Sequence, residues 1–464
     1  MEKKRVLTIF MLSMINVAAI CNIANLSFTA QHGFSSLFYY LFGAIVFFIP
    51  VGLISAELAT GWPERGGVYI WVREALGEKL GFVSIWMQWI ENIIWYPTIL
   101  SFSAASIAYV INPQLAENKF YIMITILIIF WIFTFINFLG MKISGWISSL
   151  CVIIGIFIPV TILIVLGTIW ILKGNPSNIS FNLKTFIPEI KSINQFSVLA
   201  GILLILGGLE MSAVHAKEVE NPQKNYPKAI FLSTIIILII LSLGALSIAV
   251  TIPLEKIELA SGSIEAITHL LSYFKLFWAI KIVAILMITG ALGMISTWIV
   301  GPTKGILATA RHGELPPLLQ KTNKKNMPIS ILIIQATIVT FLSSLFLYMP
   351  TVSATYRLLL HLAAQLYLIM YVLMFISAIV LRYKKADVKR SYKIPFGNVG
   401  IWIIGSLGLL SSIFAMIFGF FAPEGYEKPR FFIFFQITGV IILFILPIIM
   451  HASRKPHWHI HKNE

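Results

Sequence analysis

The sequence predicts an all-α polytopic membrane protein of about 12 transmembrane helices, and three observations carry that prediction. Hydrophobic residues make up 58% of the 464-residue chain and charged residues 11%, too little polar surface for a soluble protein of this size. The apolar residues collect into runs of roughly 20 or more, the length that crosses a bilayer as a helix. Two of those runs are interrupted where a membrane helix is normally strongest. At 18–25 the polar Cys21, Asn22 and Asn25 break the first run, and at 206–210 the pair Gly207-Gly208 precedes the carboxylate of Glu210. A bilayer accepts non-helical backbone only where protein or a water-filled cavity surrounds it.

The spans read in order as 7–31, 36–60, 80–111, 119–140, 145–172, 196–216, 228–252, 276–308, 328–349, 353–382, 400–421 and 429–451. Span 1 follows the basic Lys3-Lys4-Arg5 and lacks a small-residue cleavage site, so it is read as retained helix 1. Span 2 ends near Glu57, whose place suggests a cap or a gate ion pair. Residues 61–79 begin Trp62-Pro63-Glu64-Arg65-Gly66-Gly67 and continue amphipathically to Leu76, predicting a turn and a short helix. Span 3 carries Glu91 at its middle, within Trp89-Ile90-Glu91-Asn92 and ahead of Trp95-Tyr96-Pro97. Spans 4 and 5 are plain apolar runs, the fifth containing Cys151. Span 6 holds the second break. Residues 253–275, of mixed polarity from Ile257 to Leu271, predict a short helix outside the membrane, a connector or a lid. Spans 7 to 12 complete the bundle, and 452–464 form a short tail.

The chain reads as one membrane domain with internal organisation: 7–172 (helices 1–5), 196–382 (helices 6–10), 400–451 (helices 11–12) and the tail 452–464. Each five-helix unit starts with a broken helix. Because five is odd, the units start on opposite sides of the membrane, the geometry of inverted repeats. The breaks and the topology support this, not any residue-level repeat.

The net charge of +15 is topological. With the N-terminus inside, about 24 Lys and Arg fall on one side and about 8 on the other, as the positive-inside rule requires. Lys217, Lys224, Lys228, Lys321, Lys324, Lys325, Lys384, Lys385, Lys389, Arg390 and Lys393 belong to the inner set, and Lys281 and Arg357 fall within spans. Both termini are therefore expected in the cytoplasm, and nucleic acid is not expected as a partner. With only Cys21 and Cys151, both in spans, no disulfide framework or cysteine metal site is expected. No phosphate-binding Gly-Lys-Ser/Thr loop, zinc-protease motif or nucleophile motif occurs, so neither an enzyme nor a cofactor is expected.

Several stretches carry a family resemblance: Phe48-Ile49-Pro50-Val51-Gly52-Leu53 through Ala56-Glu57-Leu58-Ala59-Thr60; Gly66-Gly67-Val68-Tyr69-Ile70-Trp71-Val72; Gly208-Leu209-Glu210-Met211-Ser212-Ala213-Val214-His215; Glu220-Asn221-Pro222; and Trp298-Ile299-Val300-Gly301-Pro302-Thr303-Lys304-Gly305. Over essentially its whole length the chain resembles the amino acid–polyamine–organocation transporter superfamily, and within it the bacterial glutamate/GABA antiporters. The resemblance implies ten helices in two inverted repeats plus two peripheral ones, with a substrate site between helices 1, 3, 6, 8 and 10. It also implies that Trp298, Tyr367 and Tyr371 face that site. The last two are four residues apart and share a helix face. Aromatic packing in the core or at the interface is the alternative for all three. The chain departs from the antiporters at Ile23-Ala24-Asn25-Leu26, which lacks their aromatic and acidic pattern. It also departs at Met294, near a position where they can carry a carboxylate, and in its short tail, so that their folded C-terminal plug is not expected.

These residues define the expected site. Around the first break it comprises Cys21, Asn22, Ala24 and Asn25; around the second, Gly207, Gly208, Leu209 and Glu210; across the bundle, Glu91, Trp298, Tyr367 and Tyr371. Gly207-Gly208 permits unwinding, and the freed amides would attract a carboxylate; close helix packing through small residues is the other reading. An intramembrane carboxylate is functional by default, so Glu91 and Glu210 are the proton-coupling candidates. Glu210 can equally brace the broken helix, and Glu91 can equally pair with Lys281 or Arg357. His457, His459 and His461 in the tail titrate near neutral to mildly acidic pH, which admits pH sensing or metal binding as readings beside a solvated tail.

The expectation is a secondary amino acid transporter of a bacterial inner membrane, working by alternating access and exchanging one amino acid for another. A proton-coupled symporter is the alternative. A transporter-fold sensor would carry a sizeable soluble segment, and a channel would need a continuous polar lining; neither is evident. The expected partners are an amino acid, the lipid bilayer and protons. The oligomeric state is not legible.

Overall fold

The computed structural model describes residues 7–63, 66–139, 153–212, 219–455 and 458. Among the described residues, eleven helices are long and apolar enough to cross a membrane, and a bent pair makes a twelfth span. The pair is α1 (Ile9–Ile20) and α2 (Ile23–Ala30), which meet at 50°. There follow α3 (Ser35–Gly61), the short α4 (Val68–Leu76), α5 (Glu78–Ile111), α6 (Lys119–Phe138) and α7 (Ile154–Leu172). Then come α8 (Val198–Ile205), α9 (Leu209–Ser212), α10 (Pro222–Thr251), the short α11 (Gly262–Tyr273) and α12 (Phe277–Thr309). The chain closes with α13 (Ile329–Ser343), α14 (Val352–Lys384), α15 (Gly397–Phe418) and α16 (Pro429–Ala452).

Every predicted span has its helix, and both predicted short helices are present as α4 and α11. The expected start of span 5 with Cys151, the stretch Ala213–Val214–His215 and the tail residues His457, His459 and His461 lie outside the described residues.

Burial separates the core from the rim. The most apolar stretch of α5 is 83% buried and that of α14 72%, against 28% in α15 and 17% in α16. The last two helices lie on the outside, where apolar side chains face lipid. Helices approach closely where side chains vanish. A Cβ on Gly290 of α12 would lie 2.6 Å from the backbone of Gly155 in α7, so the two backbones meet directly, as small residues allow in membranes.

Both termini of the described chain lie on one face. Leu7 pairs with Val219, and beyond α16 Arg454 bonds to Glu78 at 2.8 Å and to Glu314 at 3.0 Å. On this terminal face Glu57 sits 3% exposed at the end of α3. Its carboxylate receives Arg382 at 2.7 Å and Arg390 at 3.5 Å, with the Ile394 amide at 2.8 Å. Arg382 also donates to the carbonyls of Ile394 and Gly397, and Arg390 lies over the Trp62 ring. The cluster fastens the α14–α15 loop to α3, so the ion pair expected at Glu57 is present.

Removing one partner of a buried ion pair strands the other charge, at about 3–5 kcal/mol. Glu57→Gln, which leaves two buried guanidiniums facing no charge, should lower the thermal midpoint of the detergent-solubilised protein strongly, as followed by fluorescence-detected size exclusion. Glu78→Gln, which cuts a more exposed pair worth about 0–1 kcal/mol, should barely move it.

Candidate functional site

The two interruptions face one another in mid-bundle. At the first, Asn22 caps the turn that follows: its Oδ1 accepts the Ala24 amide at 3.0 Å. The Ile23 carbonyl, which accepts the Leu26 amide, also accepts from Ser263 of α11 at 2.8 Å. The Tyr356 hydroxyl of α14 reaches the Ala24 carbonyl and Asn25 Oδ1, each at 3.4 Å. The break is thus satisfied partly within its own turn and partly by α11 and α14, as a membrane interior demands.

At the second break the chain leaves helix after Ile205 and resumes at Leu209. Gly208 has φ +119°, a conformation that side chains avoid, and a Cβ there would meet Ile20 and Trp298. The expected bare amides are engaged: Gly207 N–H donates to the Leu204 carbonyl at 3.0 Å, and Gly208 N–H to the Tyr371 hydroxyl at 2.8 Å. Tyr371 in turn donates to Glu210 at 2.6 Å. Tyr367 donates to the other carboxylate oxygen, which also accepts from Gln88 at 3.0 Å. Glu210 therefore ties α9 to α14 and to α5 through three donors.

Between the breaks lies a small cavity of about 40 Å³, room for a few waters and too tight for an amino acid. Its walls are Ala19, Ile20, Asn22 and Asn25 from the first break, Leu204, Ile205 and Gly207 from the second, and Glu91, Asn92 and Trp95 from α5. Met294 and Trp298 of α12 and Tyr367 of α14 complete it. Of the expected site residues, Asn22, Asn25, Glu91, Gly207, Trp298 and Tyr367 line this space. Cys21, Ala24, Gly208, Leu209, Glu210 and Tyr371 stand behind it as buried backing.

Among the described residues, Glu91 is the one charged residue in the lining. Its Oε2 accepts from Asn92 at 2.8 Å. The pairing with Lys281 or Arg357 does not form: Lys281 is exposed, and Arg357 bonds to Gln31 at 2.7 Å. Among the described residues, the buried Asn22 Nδ2 and Asn92 Oδ1 have no hydrogen-bond partner. A donor and an acceptor beside a carboxylate are what the two ends of a zwitterion require.

Gln88, Asn92 and Trp95 were not expected here. Their positions at −3, +1 and +4 from Glu91 carry the signal for two of them, since residues three and four apart share a helix face. Asn92 reaches the cavity beside its neighbour.

The family profile described as amino acid permease matches residues 5–445. The chain is 44% identical to an uncharacterised transporter of Legionella pneumophila, over 96% of each protein. It is 33% identical to a glutamate/gamma-aminobutyrate antiporter of Lactococcus lactis, over 91% of this chain and 86% of the relative. A polyamine transporter of Oryza sativa is 25% identical over 77% of this chain and 62% of its own length. With its twelve spans and this match along nearly its full length, the chain belongs to the amino acid permease family of the amino acid–polyamine–organocation superfamily, a multi-pass membrane protein with glutamate/GABA antiporters among its relatives.

Proposed function

We propose that the protein is an amino acid exchanger of a bacterial inner membrane that works by alternating access around the central cavity. The observation that carries this reading is the cavity between two broken spans, lined by Glu91 and by the unpaired Asn22 Nδ2 and Asn92 Oδ1. The substrate ammonium would meet Glu91 and Asn92, and its carboxylate would meet Asn22. Ile20, Leu204, Ile205, Met294 and Trp298 supply an apolar wall for the side chain. Among the described residues no Lys or Arg lines this space, so none of them offsets a second carboxylate. The lining therefore favours a zwitterion such as 4-aminobutyrate over glutamate carrying two carboxylates. Two five-span units, α1–α7 and α8–α14, each opening on a broken span, would rock about the site. The terminal face carries Lys321, Lys324, Lys325, Lys384, Lys385 and Lys389, which supports placing it in the cytoplasm.

The exchange reading is checked with purified protein in liposomes. Preloading with unlabelled 4-aminobutyrate should accelerate entry of the labelled compound. Concentrative uptake into empty vesicles under an inward proton gradient, with no acceleration by preloading, would establish symport instead. The same assay across amino acids identifies the substrate.

The two carboxylates should separate experimentally. Glu91 lines the cavity with one side-chain partner, so Glu91→Gln should flatten the pH dependence of transport while the protein stays monodisperse. Glu210 is held by three donors, and Glu210→Gln sets an amide N–H against one of them. That leaves a buried group unsatisfied, at about 1–3 kcal/mol, so this variant should lose thermal stability and keep the wild-type pH profile. An unchanged profile in Glu91→Gln removes Glu91 from proton handling.

At Gly208 any side chain is both strained and directed at Ile20 and Trp298. Gly208→Leu should abolish substrate binding with normal expression and monodispersity; unchanged uptake would detach this residue from the site.

A further inference from the structure

A second and larger cavity opens on the face opposite the termini. Its volume is about 280 Å³, several times that of the central cavity. It forms around the end of α2, the segment that enters α8 and the first turns of α14. Arg357 lies in its wall, ten residues before Tyr367 on the same helix, and so roughly 15 Å further from the terminal face.

Arg357 is an unusual group to find there. Among the described residues its guanidinium makes one hydrogen bond, to Gln31, and no ion pair. Glu258, an acid near enough to act on it, is engaged by the Ser353 hydroxyl. A brace for Gln31 needs one donor, whereas a guanidinium brings five and a full charge. A cation in such surroundings is costly unless an anion completes it.

The other titratable groups in the wall sharpen the field. His32 is pushed down to about 4, by burial first and by the neighbouring Arg357 charge second, so it is neutral at physiological pH. His361 uses Nδ1 on the Arg357 carbonyl at 2.9 Å. The acids are exposed at the mouth: Glu424 accepts from Ser192 and Gln195, and Glu189 pairs with Lys191 at 3.0 Å. The vestibule therefore has a cation in its wall and carboxylates at its rim.

We infer that this vestibule is a second binding site, separate from the central cavity, in which Arg357 receives the carboxylate of a zwitterionic amino acid whose ammonium faces Glu424. The choice of an amino acid as the ligand rests on the transport reading; the carboxylate preference rests on Arg357. A bidentate guanidinium–carboxylate contact would take over the bond that Gln31 now makes.

The test reads occupancy without transport. Asn194, in the vestibule wall, is replaced by cysteine, and its modification by a membrane-impermeant thiol reagent is timed against the parent chain, whose Cys21 and Cys151 set the background. Millimolar 4-aminobutyrate should slow the modification several-fold, and acetate or butylamine should do so less. Arg357→Gln should remove the protection, Arg357→Lys should keep part of it, and Trp298→Ala should leave it in place. Protection that survives Arg357→Gln, that vanishes with Trp298→Ala, or that is absent from the start overturns the site. Equal protection by acetate overturns the zwitterion assignment. Protection in a protein that fails to exchange amino acids would sink the transport reading and leave this site standing.

Discussion

Backbone released from a helix inside a bilayer has to be satisfied by protein, and that requirement organises this molecule. At the second break it is met by one carboxylate and two tyrosines. The Tyr371 hydroxyl accepts from the Gly208 amide and donates a hydrogen bond to Glu210, which Tyr367 and Gln88 also address. The array fixes the resumed helix α9 against both α14 and α5, beside the central cavity. Glu210 is then a structural necessity before it is anything else, and Glu91, which faces the same space without such an array, is left available for chemistry.

Both breaks were legible in the sequence because they violate a strong rule: Gly207-Gly208 and the Cys21-Asn22…Asn25 cluster interrupt predominantly apolar runs. The spans were legible for the same reason. What the sequence could not supply was the partners. Arg382 and Arg390 are more than 300 positions from Glu57, and their basic stretch reads as an ordinary inner loop. The division between lining and backing residues was equally hidden. Tyr367 and Tyr371 share a helix face, yet one meets the cavity and the other stands behind Glu210.

The mispairing of Glu91 with Arg357 is instructive. Both are charges within spans, and a rule that buried charges seek partners joins them. Depth separates them. Glu91 lies 20 residues before the end of α5 at Ile111, roughly 30 Å below the face opposite the termini. Arg357 lies five residues into α14 from that same face, about 8 Å. Counting residues from the span ends would have kept them apart and would have placed Arg357 in the vestibule.

Helix α14 touches every functional feature, and its bonds are of unequal strength. Toward the second break it holds Glu210 through Tyr371 at 2.6 Å, and at the terminal face it holds Glu57 through Arg382 at 2.7 Å. Both are charge-assisted or short contacts, the stronger kind. Toward the first break it offers only Tyr356, at 3.4 Å to each acceptor, near the limit at which a hydrogen bond contributes. The outer half of that break is fastened elsewhere: Ser263 of α11 donates to the Ile23 carbonyl and meets Ser27, and Gln31 donates to the Ile257 carbonyl at 2.7 Å. Helices α2 and α11 thus form one unit, and Ser353 of α14 bonds to it just ahead of α11, donating to the Glu258 carboxylate and accepting from the Leu259 amide at 2.8 Å. Arg357 crosses the seam between that unit and α14 one turn further along α14, to Gln31 at 2.7 Å. At the proposed vestibule site, a carboxylate that draws Arg357 away from Gln31 would remove that one link and leave the Ser353 pair holding α11 to α14.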